Sequence, residues 1–228
     1  MPDWRRALAS NGTEYDVFLS YARADNTGPG RAVERLVDQL ASAYREVTGH
    51  ELRVFFDQRA IATAQEWSRE IRGALQRSAL MIAVLSPAYF SSQWCAEEWD
   101  TFLRAGRERS ITYGITPYLK ILFPVALHAG IQTDHGHPET RRRIREAQHM
   151  QHKDFTGVAA GSEPFATLAA ELARDLADAL EMLGEVTQGS GAWLAAGSRR
   201  RPRNRRPSRR GGLRTASSLS GCWPTPST

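Results

Sequence analysis

The stretch Ala79-Leu-Met-Ile-Ala-Val-Leu85 contains no polar residue and ends at Ser86-Pro87. Seven apolar residues are too few to cross a bilayer. They suit a central parallel strand, whose side chains point alternately to two faces that are both covered. The flanks extend that reading. Tyr15-Asp-Val-Phe-Leu-Ser20, Leu52-Arg-Val-Phe-Phe56 and Ile121-Leu-Phe-Pro-Val-Ala-Leu127 are further short strand-like runs. Between the first two, Val33, Leu36, Val37, Leu40 and Tyr44 recur at three- and four-residue spacing, the stripe of an amphipathic helix closed near Gly49. Trp67, Ile71, Ala74 and Leu75 line another helix, and Phe165, Leu168, Leu172, Leu176, Leu180 and Leu183 a long last one, stopped by Gly184. A fifth strand is expected near Asp154-Phe155. Alternating strands and helices predict a mostly parallel sheet with helices on both faces. Pro124 removes one ladder donor from the fourth strand and counts against it.

Charge divides the chain. The net charge of +5 hides nine arginines and no acid between Gly189 and Thr228, so the other 188 residues carry 5 − 9 = −4. An acidic body argues against a nucleic-acid groove on the domain itself. The Arg/Pro/Ser-rich segment cannot bury enough apolar surface to order itself and is expected to be a disordered tail, with nucleic-acid binding as a minority reading. The expected division is an extension over 1–13, one domain over 14–184 and the tail over 185–228. Cys95 and Cys222 lie far apart in unlike segments, and no secretory signal follows the charged start. A cytoplasmic location is the expectation.

Other constellations are weak. His135-Gly-His137 and His149-Met-Gln-His152 lack carboxylate or thiolate company, so no metal site is expected. Gly28-Pro-Gly30 is not a phosphate-binding loop, because no lysine opens a helix behind it.

Taken together, several segments resemble the Toll/interleukin-1 receptor (TIR) family in order and spacing. Tyr15-Asp-Val-Phe-Leu-Ser-Tyr21 is similar to the family's opening strand and turn. Val54-Phe-Phe-Asp57 with Ile61 and Trp67 resembles the second strand and the connecting loop used in TIR–TIR contacts. Leu85-Ser-Pro-Ala-Tyr89 and Ser92-Gln-Trp-Cys-Ala-Glu-Glu98 resemble the exit of the third strand and the helix that carries the functional glutamate. Phe123-Pro-Val125 resembles the fourth strand, where a proline is expected. The likeness covers about Glu14 to Leu183. It departs from the family near Thr63-Ala64, where a glycine is usual.

The resemblance implies a flavodoxin-like fold with strand order 2-1-3-4-5. In such a sheet the ligand crevice opens at the carboxyl ends of strands one and three, where the winding reverses. Ser20 and Tyr21 leave the first strand there, and Ser86, Pro87, Trp94 and Glu98 follow the third. Of the adjacent Glu97 and Glu98, helical geometry at roughly 100° per residue turns Glu97 to solvent, opposite the arc of Cys95, Trp99, Phe102 and Leu103. Glu98 falls at the border of that arc, on the side of Trp94.

The resemblance also implies that Glu98 is the catalytic residue of NAD cleavage, with Ser20, Tyr21, Arg23 and Trp94 binding the nucleotide. Asp57, Ile61 and Trp67 would lie in the assembly loop. NAD enters as substrate, with no other cofactor, and the implied partners are further copies or other TIR proteins. One carboxylate suffices for the chemistry. Nicotinamide leaves a cationic precursor as a neutral molecule, and the ribosyl cation left behind needs a fixed anion. Two functions remain open: an NAD glycohydrolase, and an interaction module that recruits other TIR domains without chemistry.

Overall fold

The computed structural model describes residues 2–27, 31–56, 64–113, 120–127, 138–150 and 152–197. Five strands form one parallel sheet: β1 (Tyr15–Ser20), β2 (Val54–Phe55), β3 (Ser78–Leu85), β4 (Leu122–Ala126) and β5 (Lys153–Asp154), in the order β2-β1-β3-β4-β5. This is the flavodoxin-like arrangement. All eight residues of β3 are buried, so helices cover both faces of the sheet. The edge strands β2 and β5 are two residues each, which leaves little unpaired backbone to attract another chain. Pro124 sits within β4 opposite Ala83 of β3, and the strand forms around it. Its missing donor costs one hydrogen bond, while Leu122, Phe123, Val125 and Ala126 are all buried there.

The helices are α1 (Asp3–Ser10), α2 (Ala32–Thr48), α3 (Ala64–Gln76), α4 (Pro87–Ser91), α5 (Gln93–Tyr113), α6 (Pro138–His149) and α7 (Glu163–Gly197). The stripe read from Val33 to Tyr44 is the buried face of α2, and Gly49 closes that helix at φ 71°, a conformation glycine takes without penalty. Both α1 and α2 pack on α7. None of the helices is long and apolar enough, among the described residues, to cross a membrane.

The structure corrects one expectation about α7. Gly184 does not stop it; the helix runs on to Gly197. Trp4 of α1 lies so close that a Cβ on Gly184 would sit 2.3 Å from the Trp4 Cβ. The glycine is there for close helix packing, and that contact outweighs its poor helix propensity. Residues 1–13, read as an extension, contain α1. Its Leu8 joins the core, and its Arg5 reaches Asp16 of β1 at 2.6 Å. The arginine-rich segment from 199 onward lies outside the described residues.

Candidate functional site

The site lies where β1 and β3 end side by side, with Ser20 in register with Ala83. Here the chain winds one way from β1 to β2 and the other way from β3 to β4, so the ends of the two central strands are not roofed by a common crossover. Three short elements converge there. A 3-10 turn (Arg23–Asn26) follows β1, α4 follows β3, and α5 begins two residues after α4 ends.

Serines set the starts of the two helices. Ser86 accepts from the backbone N–H of Tyr89 at 2.9 Å, with Pro87 in the first helical turn. Ser92 accepts from the N–H of Cys95 at 3.3 Å. The Ser86 hydroxyl also donates to Asp25 Oδ2 at 2.6 Å, which ties the 3-10 turn to the head of α4.

Glu98, in the second turn of α5, is 9% exposed. It lies deeper than the border position that helical geometry assigns it, because the end of β1 lies against that side of α5. Its Oε2 accepts from the Ser20 hydroxyl at 2.5 Å, and the Ser20 Oγ lies 3.0 Å from the Tyr89 hydroxyl. Ser20 and Tyr89 are both buried. Glu97 is exposed and lies near Arg72 of α3. Trp94, one turn before Glu98, is 40% exposed, an aromatic face on the surface beside a buried carboxylate. Tyr21 is half-buried with its ring 5.3 Å from that of Phe56, and Arg23 is exposed on the 3-10 turn. The structure thus joins Ser20 directly to Glu98. It places Tyr21 against the chain leaving β2 and puts Arg23 and Trp94 at the surface. Of the expected assembly loop, Asp57 and Ile61 lie outside the described residues; Trp67 falls on α3, and its side chain is likewise outside them.

The surroundings keep nearby groups protonated. Burial pushes the Cys95 thiol up to about 12, reinforced by the charges of Glu98 and Asp25. A thiol held this way is a core residue rather than a nucleophile. Burial also holds the Tyr89 phenol well above its ordinary value, with Cys95 and Glu98 adding to the effect. Behind Glu98, α5 is braced on α6. Trp99 donates its ring N–H to Glu146 at 3.2 Å, and Asp100 accepts from Arg142 and Arg143 at 2.9 Å each.

Tyr89 and Asp25 were not singled out for a role in the sequence, although Tyr89 stands within a quoted motif. A buried tyrosine needs a partner for its hydroxyl, but sequence spacing does not say which one. For the histidines, His149 ends α6, His152 precedes β5, and His135 and His137 lie outside the described residues. No group of three or more His, Cys, Asp or Glu side chains is set to hold a metal ion among the described residues.

Comparison with known proteins places this arrangement. The family model described as TIR domain matches residues 17–169. The chain is 34% identical over 87 residues to the probable 2' cyclic ADP-D-ribose synthase TcpB of Brucella abortus, over 38% of this chain and 31% of that protein. A Brucella melitensis protein of the same name is 33% identical over the same shares. The match therefore spans less than a third of these relatives' length. Among solved structures, it is similar to the TIR domains of the activated Roq1 resistosome bound to the effector XopQ (19% identity, TM-score 0.47, 72% of this chain and 99% of that one). It is also similar to the TIR domain of the Toll-related receptor TRR-2 from Hydra magnipapillata (18% identity, TM-score 0.42, 71% and 98%). With 153 of its 228 residues matched by the family model, the chain belongs to the TIR domain family.

Proposed function

We propose that this TIR domain cleaves the bond between nicotinamide and ribose in NAD, with Glu98 as the catalytic residue. The observation that carries this reading is a carboxylate 9% exposed and held by a serine at the crevice between β1 and β3. A carboxylate fixed in a partly desolvated place stabilises a ribosyl cation far better than one moving in water. The leaving nicotinamide is neutral, so no acid has to protonate it. Trp94 offers a flat surface for an aromatic ring of the nucleotide, and Arg23 suits its pyrophosphate. The name of the Brucella relatives, cyclic ADP-ribose synthases, agrees with this substrate and makes a cyclised product a further option for this chain. Self-association, or association with other TIR proteins, would complete the site through the segment around Asp57 to Trp67.

The bond from Ser20 to Glu98 also favours a second reading. In it the carboxylate pins α5 to β1, and the domain recruits other TIR proteins without chemistry. Incubation of the purified full chain with NAD, at concentrations that permit self-association, separates the two. Free nicotinamide from the parent, lost in Glu98→Gln and kept in Glu97→Gln, is the expected result. The amide keeps the size of the side chain and removes its charge, so the loss should be about 10²–10³-fold. Equal activity of the two variants removes Glu98 from the chemistry, and no turnover in the parent favours recruitment.

A further inference from the structure

The Ser20 hydroxyl carries one hydrogen and lies within hydrogen-bond distance of two oxygens, Glu98 Oε2 at 2.5 Å and the Tyr89 hydroxyl at 3.0 Å. An ionised carboxylate can only accept, so the serine hydrogen goes to Glu98. Ser20 then has only lone pairs for Tyr89, and Tyr89 must be the donor. We propose that Tyr89 is a positioning residue that holds the Glu98 carboxylate in place through Ser20. This rests on the catalytic reading of Glu98, and adds to it a residue that touches no substrate.

The relay runs through three elements: Tyr89 on α4, Ser20 at the end of β1 and Glu98 on α5. All three side chains are buried, so water does not compete for their hydrogen bonds. The first member is itself fixed. Its ring lies 5.6 Å from that of Phe90 and 6.4 Å from that of Trp99, both edge-on, and its backbone N–H is held by Ser86. Its phenol keeps its proton and so remains a donor throughout the working pH range. Glutamate has three rotatable side-chain bonds, and a carboxylate that stabilises a cation must not reorient as the charge appears. Successive hydrogen bonds polarise one another, so the outer donor strengthens the inner one. Among the described residues, the titratable or charged groups around the relay include Cys95 on α5, Asp25 on the 3-10 turn and Arg143 on α6.

The test is a carbon-13 NMR titration of the Glu98 carboxyl in the full chain and in Ser20→Ala, Tyr89→Phe and the double variant, with NAD turnover measured beside it. Tyr89→Phe keeps the ring that packs on Phe90 and Trp99, and amide spectra report whether each variant is folded. A donor to the charged form lowers a carboxyl pKa, so the titration should move up by about one pH unit in Ser20→Ala and by less in Tyr89→Phe. The double variant should move no further than Ser20→Ala, because Tyr89 acts only through the serine. Turnover should show the same order, in kcat rather than KM. A merely structural tyrosine would leave the carboxyl titration where it is, and its effect would add to that of Ser20→Ala; either result overturns the proposal. If the parent shows no turnover, the catalytic reading of Glu98 fails, and the titration still decides whether Tyr89 holds the carboxylate.

Discussion

At the scale of single residues, two carboxylates are buried by different means. Glu98 accepts from the Ser20 hydroxyl, with the Tyr89 hydroxyl behind it. Asp16 is fully buried between two guanidinium groups, Arg5 at 2.6 Å and Arg53 at 2.7 Å, and also accepts the backbone N–H of Arg53 at 2.9 Å. An aspartate so paired leaves two cations without their carboxylate when it is removed. We expect Asp16→Ala to lower stability by about 3–5 kcal/mol, read from urea denaturation, since breaking a buried pair exposes the cost of the charges left behind. Arg6→Ala is the control. Arg6 and Asp3 pair in the open on α1, where such a contact contributes roughly 0–1 kcal/mol, and its midpoint should hardly move.

At the scale of elements, the contact between α1 and α7 is set by a missing side chain. A Cβ on Gly184 would lie 2.3 Å from the Cβ of Trp4 and 2.6 Å from its Cα, and the second of these is backbone. A side-chain rotation cannot relieve that clash, so α1 as a whole has to move. Gly184→Ala should therefore destabilise the protein by about 1–3 kcal/mol, although alanine is the better helix former. Gly73→Ala on α3 is the contrast: its added carbon meets only the guanidinium end of Arg77, which can swing away. Thermal unfolding of the two variants tests this. Amide exchange in α1 should accelerate in the first variant alone. If Gly184→Ala raises the melting temperature, α1 and α7 are not in close backbone contact at Gly184.

At the scale of the whole molecule, burial of neutral acids makes stability depend on alkaline pH, with Tyr89 held protonated in the same way as Cys95 and Tyr44. Cys95 and the Tyr44 phenol are both pushed up to about 12 by burial, the tyrosine further by the charge of Asp16. Once unfolded, both groups return to ordinary values near 8.5 and 10 and release their protons earlier. The unfolded state then binds fewer protons than the folded one, so stability falls as pH rises. Their contribution is fully present below about pH 8 and is lost progressively up to about pH 12, at up to about 1.4 kcal/mol per pH unit for each proton. Urea midpoints measured at pH 8, 9.5 and 11 should decline over that span. Cys95→Ala should flatten the early part of the decline, whatever it does to stability at pH 8. A decline of the same slope in that variant would place the titrating group elsewhere.

Sequence alone determined the strands and most of the helices, because their signals are local. The apolar run of β3 has no polar residue to place in water, and the stripe of α2 repeats with the helical period over three turns. Strand order was legible only through the likeness of ordered motifs to a known family, since hydrophobic periodicity names elements and not their neighbours. The shorter, more polar helices α1 and α6 were not read out, because three and six of their residues, respectively, are arginines or acids and few apolar positions mark a stripe. What only tertiary structure decided are contacts between distant positions. Helical geometry put Glu98 at the edge of an apolar arc; the end of β1, 78 residues earlier in the chain, gave it a hydroxyl and covered it. Tyr89 acquired its place in the same way, through a serine 69 residues away. Gly184 carries a local signal for a helix end, yet Trp4 turned it into a packing site. A residue's own propensity is worth about 1 kcal/mol, and a close contact made or lost across the fold is worth as much or more, so local signals give way where distant parts of the chain meet.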